Sequence, residues 1–413
     1  MKVWLKLLIG TILGLSLGFI LPHDSQEVLN NMAWLGELAV RIGRYVLVPV
    51  LVFSLTIAVY ELRQDGHFWG LSLRTVLIMI FCSAFVISSG IVAALIFPPG
   101  RIPILNTELT EAINFSTADN VMNLFPSNMF SALFSDGIYL LPVCLLAYFF
   151  SVGLSYDRNY TKPVISLFDS FSRIFYHIAA LFSEALGLII IVLSAYWAVR
   201  FNGILRAEIY SDLILLLGIF SVILCCGILP LFLYFIRPRG SKKNPWRVLY
   251  GCISQGLAGF FSGDINFTLP ILFRHAKESL GIRRRANTVS ITIFAFFGRA
   301  GSAMVAAVSL IVIINSYSSL DISTNSIIAI GLRALLISFL LSGFPGTGAY
   351  TALAVLCLGY GQGFEAGYLI LKPLAFYLIA IGTFIDVMIS SIASYAVSRL
   401  SGFQEDKDIK NFI

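Results

Sequence analysis

The sequence predicts an all-α integral membrane protein with eight transmembrane helices and two re-entrant helical hairpins, and three observations carry that expectation. The 413-residue chain is 58% hydrophobic and only 12% charged, with a mean hydropathy of +0.88. A soluble domain covers itself with roughly a quarter charged residues, so lipid must be the solvent here. Apolar runs at 4–21, 71–97, 185–199, 212–236 and 303–319 approach or exceed the ~20 residues that cross ~30 Å of hydrocarbon. Beyond residue 245 the apolar runs are broken by glycine and proline, which a simple bundle of spans does not require.

Six ordinary spans come first, near 4–21, 33–60, 71–97, 129–155, 164–199 and 212–236. The stretch from Met1 to Leu21 lacks a small-residue cleavage site and reads as a retained first helix, not a signal peptide. Bases concentrate in loops near 61–74, 156–162, 237–247 and 274–285, whereas those near 22–32, 101–127 and 316–327 hold Arg101 as their one base. This asymmetry marks the basic loops as cytoplasmic and puts both termini inside, with Lys2 and Lys6 at one end and Lys407 and Lys410 at the other. The net charge of +6 is therefore topological and predicts no nucleic-acid partner.

The second half contains three interruptions: Phe261-Ser262-Gly263-Asp264-Ile265-Asn266, Gly298-Arg299-Ala300-Gly301-Ser302, and Ser342-Gly343-Phe344-Pro345-Gly346-Thr347-Gly348. Helix breaks at bilayer depth persist only where protein or a water-filled cavity satisfies the freed backbone groups. The run 245–281 has basic flanks and the run 328–362 has its flanks outside, so they predict two hairpins of opposite polarity. Each precedes a long helix with an isolated charge, 284–315 with Arg299 and 364–400 with Asp386. Paired interrupted segments in corresponding positions point to a midplane binding site between inverted repeats.

Asp264, Arg299 and Asp386 each stand alone in apolar surroundings. A charge at bilayer depth is costly and normally pairs or lines a pathway. One reading is a structural ion pair, for example Arg299 with Asp264. The other is a site in which two acids against one base leave a negative charge for an amine or a cation. The second hairpin arms begin near Asn266–Thr268 and Thr347–Ala349, where half-helix N–H groups suit a carboxylate. Glu37, Arg41, Arg44, Asp169, Arg173 and Glu184 read as interface or subunit-contact residues. The six cysteines and four histidines show no metal-ligand spacing, and no P-loop, HExxH or Ser/His/Asp set appears. No cofactor and no enzyme activity are expected.

In order and spacing the chain resembles the glutamate transporter family, the dicarboxylate/amino-acid:cation symporters. The resemblance rests on Leu5 to Leu21, Phe97-Pro98-Pro99-Gly100, Pro126-Ser127-Asn128, Thr268-Leu269-Pro270 and above all Gly343-Phe344-Pro345-Gly346-Thr347-Gly348, similar to the family's gate tip. It implies a homotrimer in the inner membrane and an elevator mechanism. It also implies scaffold and trimerisation helices in 1–70 and 129–210, and transport-domain helices and connecting loops in 71–128 and 211–244. The core transport domain would be 245–402, made of hairpin 1 at 245–281, the broken helix at 284–315, hairpin 2 at 328–362 and the last helix at 364–400, before a cytoplasmic tail at 403–413.

By that resemblance Asp386 takes the substrate amine; together with the solitary charges read above, the expected substrate-binding set is Asp386, Ser390, Arg299, Asp264, Ile265, Asn266 and Gly343, Phe344, Pro345, Gly346, Thr347 and Gly348. The departures concern charge. Ile389 stands where acidic-substrate members carry an arginine, Ala393 replaces an asparagine, and Val397 replaces a sodium-binding aspartate. The family's Asn-Met-Asp-Gly-Thr is Gly298-Arg299-Ala300-Gly301-Ser302, the serine-rich first tip is Asp264-Ile265-Asn266, and a Thr-Ser pair is Cys82-Ser83. Sodium needs hard oxygen ligands, and a guanidinium beside it in a low-dielectric site repels it. The expectation is a sodium-independent transporter of acidic or neutral amino acids, with Arg299 in place of the cation or on the substrate carboxylate. Asp264, Arg299 and Asp386 are its ion-coupling candidates. The alternatives are a proton-coupled dicarboxylate carrier, or a non-transporting sensor or anion channel on the same fold.

Overall fold

The computed structural model describes residues 2–412 apart from 23–24, 104–121, 123, 135–138, 206–208, 237–243, 318–321, 344–347, 362, 406 and 409–410. Among the described residues the chain is helical, and its one β feature is an isolated bridge between Ile282 and Gln404. Among the described residues seven helical stretches are long and apolar enough to cross a membrane, and the shorter Leu141–Tyr156 makes the eighth expected span.

The first helix, α1 (Val3–Ile20), lies along α6 (Arg158–Leu205). Gly10, Gly14 and Gly18 recur every four residues, so they share one face. A methyl group on any of the three would collide with a carbonyl of α6, at Gly187, Ile191 and Ala195 respectively. In lipid, where tails are as apolar as leucine, such small-residue faces let backbones pack closely. With 48 residues, α6 is ~72 Å long at ~1.5 Å per residue. It therefore begins before the expected 164–199 span and runs through Pro163.

The expected span 33–60 is two helices, α2 (Gln26–Arg44) and α3 (Leu47–Gln64). Pro49 has no N–H to donate to the carbonyl four residues back, at Tyr45, and the helix breaks there. After α4 (Phe68–Ile96), the span expected at 129–155 is a 3₁₀ turn, Met129–Phe134, followed by α5 (Leu141–Tyr156). The 212–236 run is α7 (Ser211–Val222), a π-helical turn at Ile223–Ile228 and α8 (Leu229–Ile236). Pro230 frees the Cys226 carbonyl at that turn.

The remaining elements build the core. Helices α9 (Trp246–Ser262) and α10 (Ile265–Glu278) run back against each other, as do α13 (Thr324–Leu340) and α14 (Ala349–Tyr360). Between them lie α11 (Arg284–Phe297) and α12 (Ala300–Tyr317), followed at the end by α15 (Ala375–Leu400). Of the best apolar window in α11–α12, 94% is buried inside the protein, against 33% for α1. The centre of the molecule is thus the broken helix, wrapped by both hairpins and α15. The 403–413 segment, expected as a simple tail, docks on the base of the first hairpin. Arg283 N donates to Phe403 O at 2.9 Å, Glu405 N donates to Gly281 O at 2.7 Å, and Phe412 is buried beside Gly251.

Candidate functional site

Gly263 ends α9 with φ +62°, a left-handed conformation that glycine adopts without steric penalty. Asp264 then caps α10, its carboxylate accepting from Asn266 N at 3.1 Å and Phe267 N at 2.9 Å. These two N–H groups were expected to meet a substrate carboxylate; the chain's own aspartate occupies them. The same carboxylate accepts from Arg44 Nε of α2 at 2.6 Å, so Arg299 is not its partner. Arg44 was expected as an interface or subunit-contact residue. Instead it reaches the hairpin tip, where its neighbour Gly43 packs against the Phe267 ring.

The second break, at Gly298-Arg299, separates α11 from α12. Its freed backbone groups find protein partners on α13 and the turn after it. Arg299 N donates to Ser338 O at 3.3 Å, and the Ser342 hydroxyl donates to Phe296 O. Asp386, fully buried on α15, caps α12 from across the helix interface. Its Oδ1 accepts from Gly301 N at 2.6 Å and Ser302 N at 3.3 Å. Its Oδ2 accepts from Arg299 Nε at 3.0 Å and Ser302 Oγ at 2.6 Å. The guanidinium is itself 1% exposed. Two acids therefore meet two bases, and the uncompensated negative charge expected for an amine is absent from these pairs.

Two donors remain. Arg299 Nη2 is buried with no hydrogen-bond partner among the described residues. Gly348 opens α14 without a side-chain cap, so the N–H groups of that helix start are not taken by a side chain of the cap residue. Gly263, which ends α9, and Gly348, which opens α14, both approach Ile379. A methyl on Gly263 would lie 3.0 Å from Ile379 Cγ2, and one on Gly348 would lie 3.2 Å from Ile379 Cγ1. Ile379 is seven residues, two turns, before Asp386 on α15. Gly382, between them, packs against Ser302 and Ala349.

Of the other expected site residues, Ile265 and Asn266 are buried in the first turn of α10. Ser390 is buried one turn after Asp386 and donates its hydroxyl to the Asp386 carbonyl at 2.7 Å. Gly343 closes the 3₁₀ turn after α13, while Phe344, Pro345, Gly346 and Thr347 lie outside the described residues. Ser338 and Thr383 join the site without having been singled out, while Ser342 was named only within the third interruption and Arg44 only as an interface or subunit-contact residue. Thr383 Oγ1 is buried, one turn before Asp386, with no partner among the described residues. A signal for Arg44 did exist: Glu37 and Arg41 satisfy each other at i,i+4, which leaves Arg44 without a local acid.

Helix breaks that converge on buried ionised groups inside a helical membrane protein are the arrangement of secondary transporters. The chain belongs to the sodium:dicarboxylate symporter family, whose model matches residues 3–400. It is 25% identical over 399 residues to an excitatory amino acid transporter of Caenorhabditis elegans, covering 84% of this chain and 78% of that one. It is 24% identical to the human neutral amino acid transporter B(0), over 80% of this chain and 66% of the relative. A proton/sodium-glutamate symport protein of Bacillus subtilis (strain 168) is 26% identical over 43% of each chain.

Proposed function

We propose that the protein is a sodium-independent secondary transporter of carboxylate-bearing small solutes, amino acids foremost, in which Arg299 is a tethered cation. The buried Arg299–Asp386 pair carries this reading, with Nε 3.0 Å from Oδ2 and neither side chain more than 1% exposed. A fixed guanidinium satisfies the carboxylate permanently, so no bound sodium is needed to keep the core neutral, and one placed there would be repelled. Arg299 Nη2, which has no hydrogen-bond partner among the described residues, supplies a donor for a substrate carboxylate.

On the same reading α1–α3 and α5–α6 are the scaffold of a homotrimer. The body from α9 to α15 moves against it as an elevator, and both termini lie on the cytoplasmic side of the inner membrane, a reading the loop asymmetry supports. Arg44 of α2 then meets Asp264 across the moving boundary. A second reading, a dicarboxylate carrier without amine recognition, is favoured by the four donors already on Asp386.

Thermal unfolding of the detergent-solubilised protein, across a panel of amino acids and dicarboxylates, tests the assignment. A ligand that binds the native state alone raises stability by RT ln(1 + [L]/Kd). Stabilisation by amino acids supports the first reading. Stabilisation by dicarboxylates alone supports the second. A panel without effect contradicts both.

A further inference from the structure

A polar cavity that neither residue of the charged pair lines lies at the cytoplasmic level assigned by the basic loops. It is a space of about 350 Å³ lined by Arg173, Tyr176 and His177 of α6, Lys277 of α10 and Arg284 of α11. A larger cavity of about 610 Å³ adjoins it and shares Lys277 and Arg284. No carboxylate lines the smaller space. Arg173 Nε and Arg284 Nη2 converge on one acid, Asp169, at 3.0 and 2.6 Å. Glu61 reaches Arg284 only at 4.0 Å. Lys277 has no carboxylate ion pair among the described residues; its ammonium rests 4.1 Å from the centre of the Tyr176 ring. That ring's hydroxyl is turned to Glu278, to which it donates at 2.9 Å. Three cations and an imidazole thus line a space that no carboxylate lines, an arrangement that attracts an anion.

We infer that this cavity binds the phosphate of an anionic lipid headgroup. Guanidinium and ammonium donors from three helices match phosphate oxygens, and basic pockets between helices on the cytoplasmic side face a leaflet rich in anionic lipid. What favours lipid over free phosphate is the surface beside the cavity. Ile174, His177 and Leu181 follow one another at helical spacing on α6. Ile174 and Leu181 are 51% and 69% exposed, an apolar strip for an acyl chain leading from the basic pocket. A bound headgroup also ties α6 to α10 and α11. That consequence rests on the scaffold-and-elevator reading above; the binding itself does not.

The test uses the full-length protein in a neutral detergent with short-chain phosphatidylglycerol, short-chain phosphatidylcholine or sodium phosphate. Phosphatidylglycerol should raise the unfolding midpoint more than either of the others. Lys277→Gln and Arg173→Gln, made separately, should each raise the concentration for half-maximal effect roughly tenfold, as loss of a charge-assisted contact predicts. Arg285→Gln, outside the cavity, should leave it unchanged. An equal shift by free phosphate would keep the phosphate site and reassign its source. No shift with either anion, or one undiminished in both cavity variants, would overturn the site. Native mass spectrometry of the same variants, counting retained phosphatidylglycerol, reads binding independently of their stability.

Discussion

Asp386 and Asp264 perform the same local task in two places. Each is a buried carboxylate capping the half-helix that starts after a break, and each carries one guanidinium. Removing one partner of a buried pair leaves an uncompensated charge and costs about 3–5 kcal/mol. Arg299→Met and Asp386→Asn should therefore each lower the unfolding free energy by about that much, and the double variant by far less than the sum. Additive losses in detergent unfolding would show that the two groups do not depend on each other. At the first tip, Arg44→Met leaves Asp264 its two backbone donors, so a loss of about 1–3 kcal/mol is expected. Asp264→Ala also removes the cap and should lose about 1 kcal/mol more; equal losses would deny Asp264 its capping role.

At the scale of the element, breaks were legible where glycine sits in the break itself, as at Gly263, Gly298 and Gly343. The break at Tyr45 was not, because its cause, Pro49, acts four residues away inside an unbroken apolar run. Pairing was not legible either. Asp264 and Arg44 lie 220 residues apart, and Asp386 and Arg299 lie 87 apart, so tertiary packing alone chooses between them. The solitary charges identified which groups matter but not which group each one meets. The closing segment is a further case: 403–412 looks like a polar tail, yet Phe403 and Phe412 are buried and the backbone pairs with Gly281 and Arg283. Truncation after Ser401 should speed amide exchange at Arg283 and loosen the base of the first hairpin. Unchanged protection at that amide would show that the strap contributes nothing there.

Over the whole molecule, the proposed transport cycle needs two bodies that slide, and Arg44–Asp264 is a contact between them. In a background without the native cysteines, Arg44→Cys with Asp264→Cys, once cross-linked, should keep ligand-induced stabilisation and lose uptake into liposomes. Uptake that survives complete cross-linking would contradict relative motion at this boundary. The close α1–α6 face belongs to the scaffold on this reading. Gly14→Leu should therefore lower stability, since a side chain there meets the Ser194 hydroxyl and the Ile191 carbonyl. A detergent unfolding midpoint equal to that of the unsubstituted protein would contradict that packing.

The tethered-cation claim meets its most direct test in purified protein reconstituted in liposomes, with uptake of a ligand from the stabilisation panel measured in sodium and in choline media. Arg299 held on Asp386 predicts equal rates in the two media and no response to an imposed sodium gradient. Uptake that rises steeply with that gradient would contradict the account.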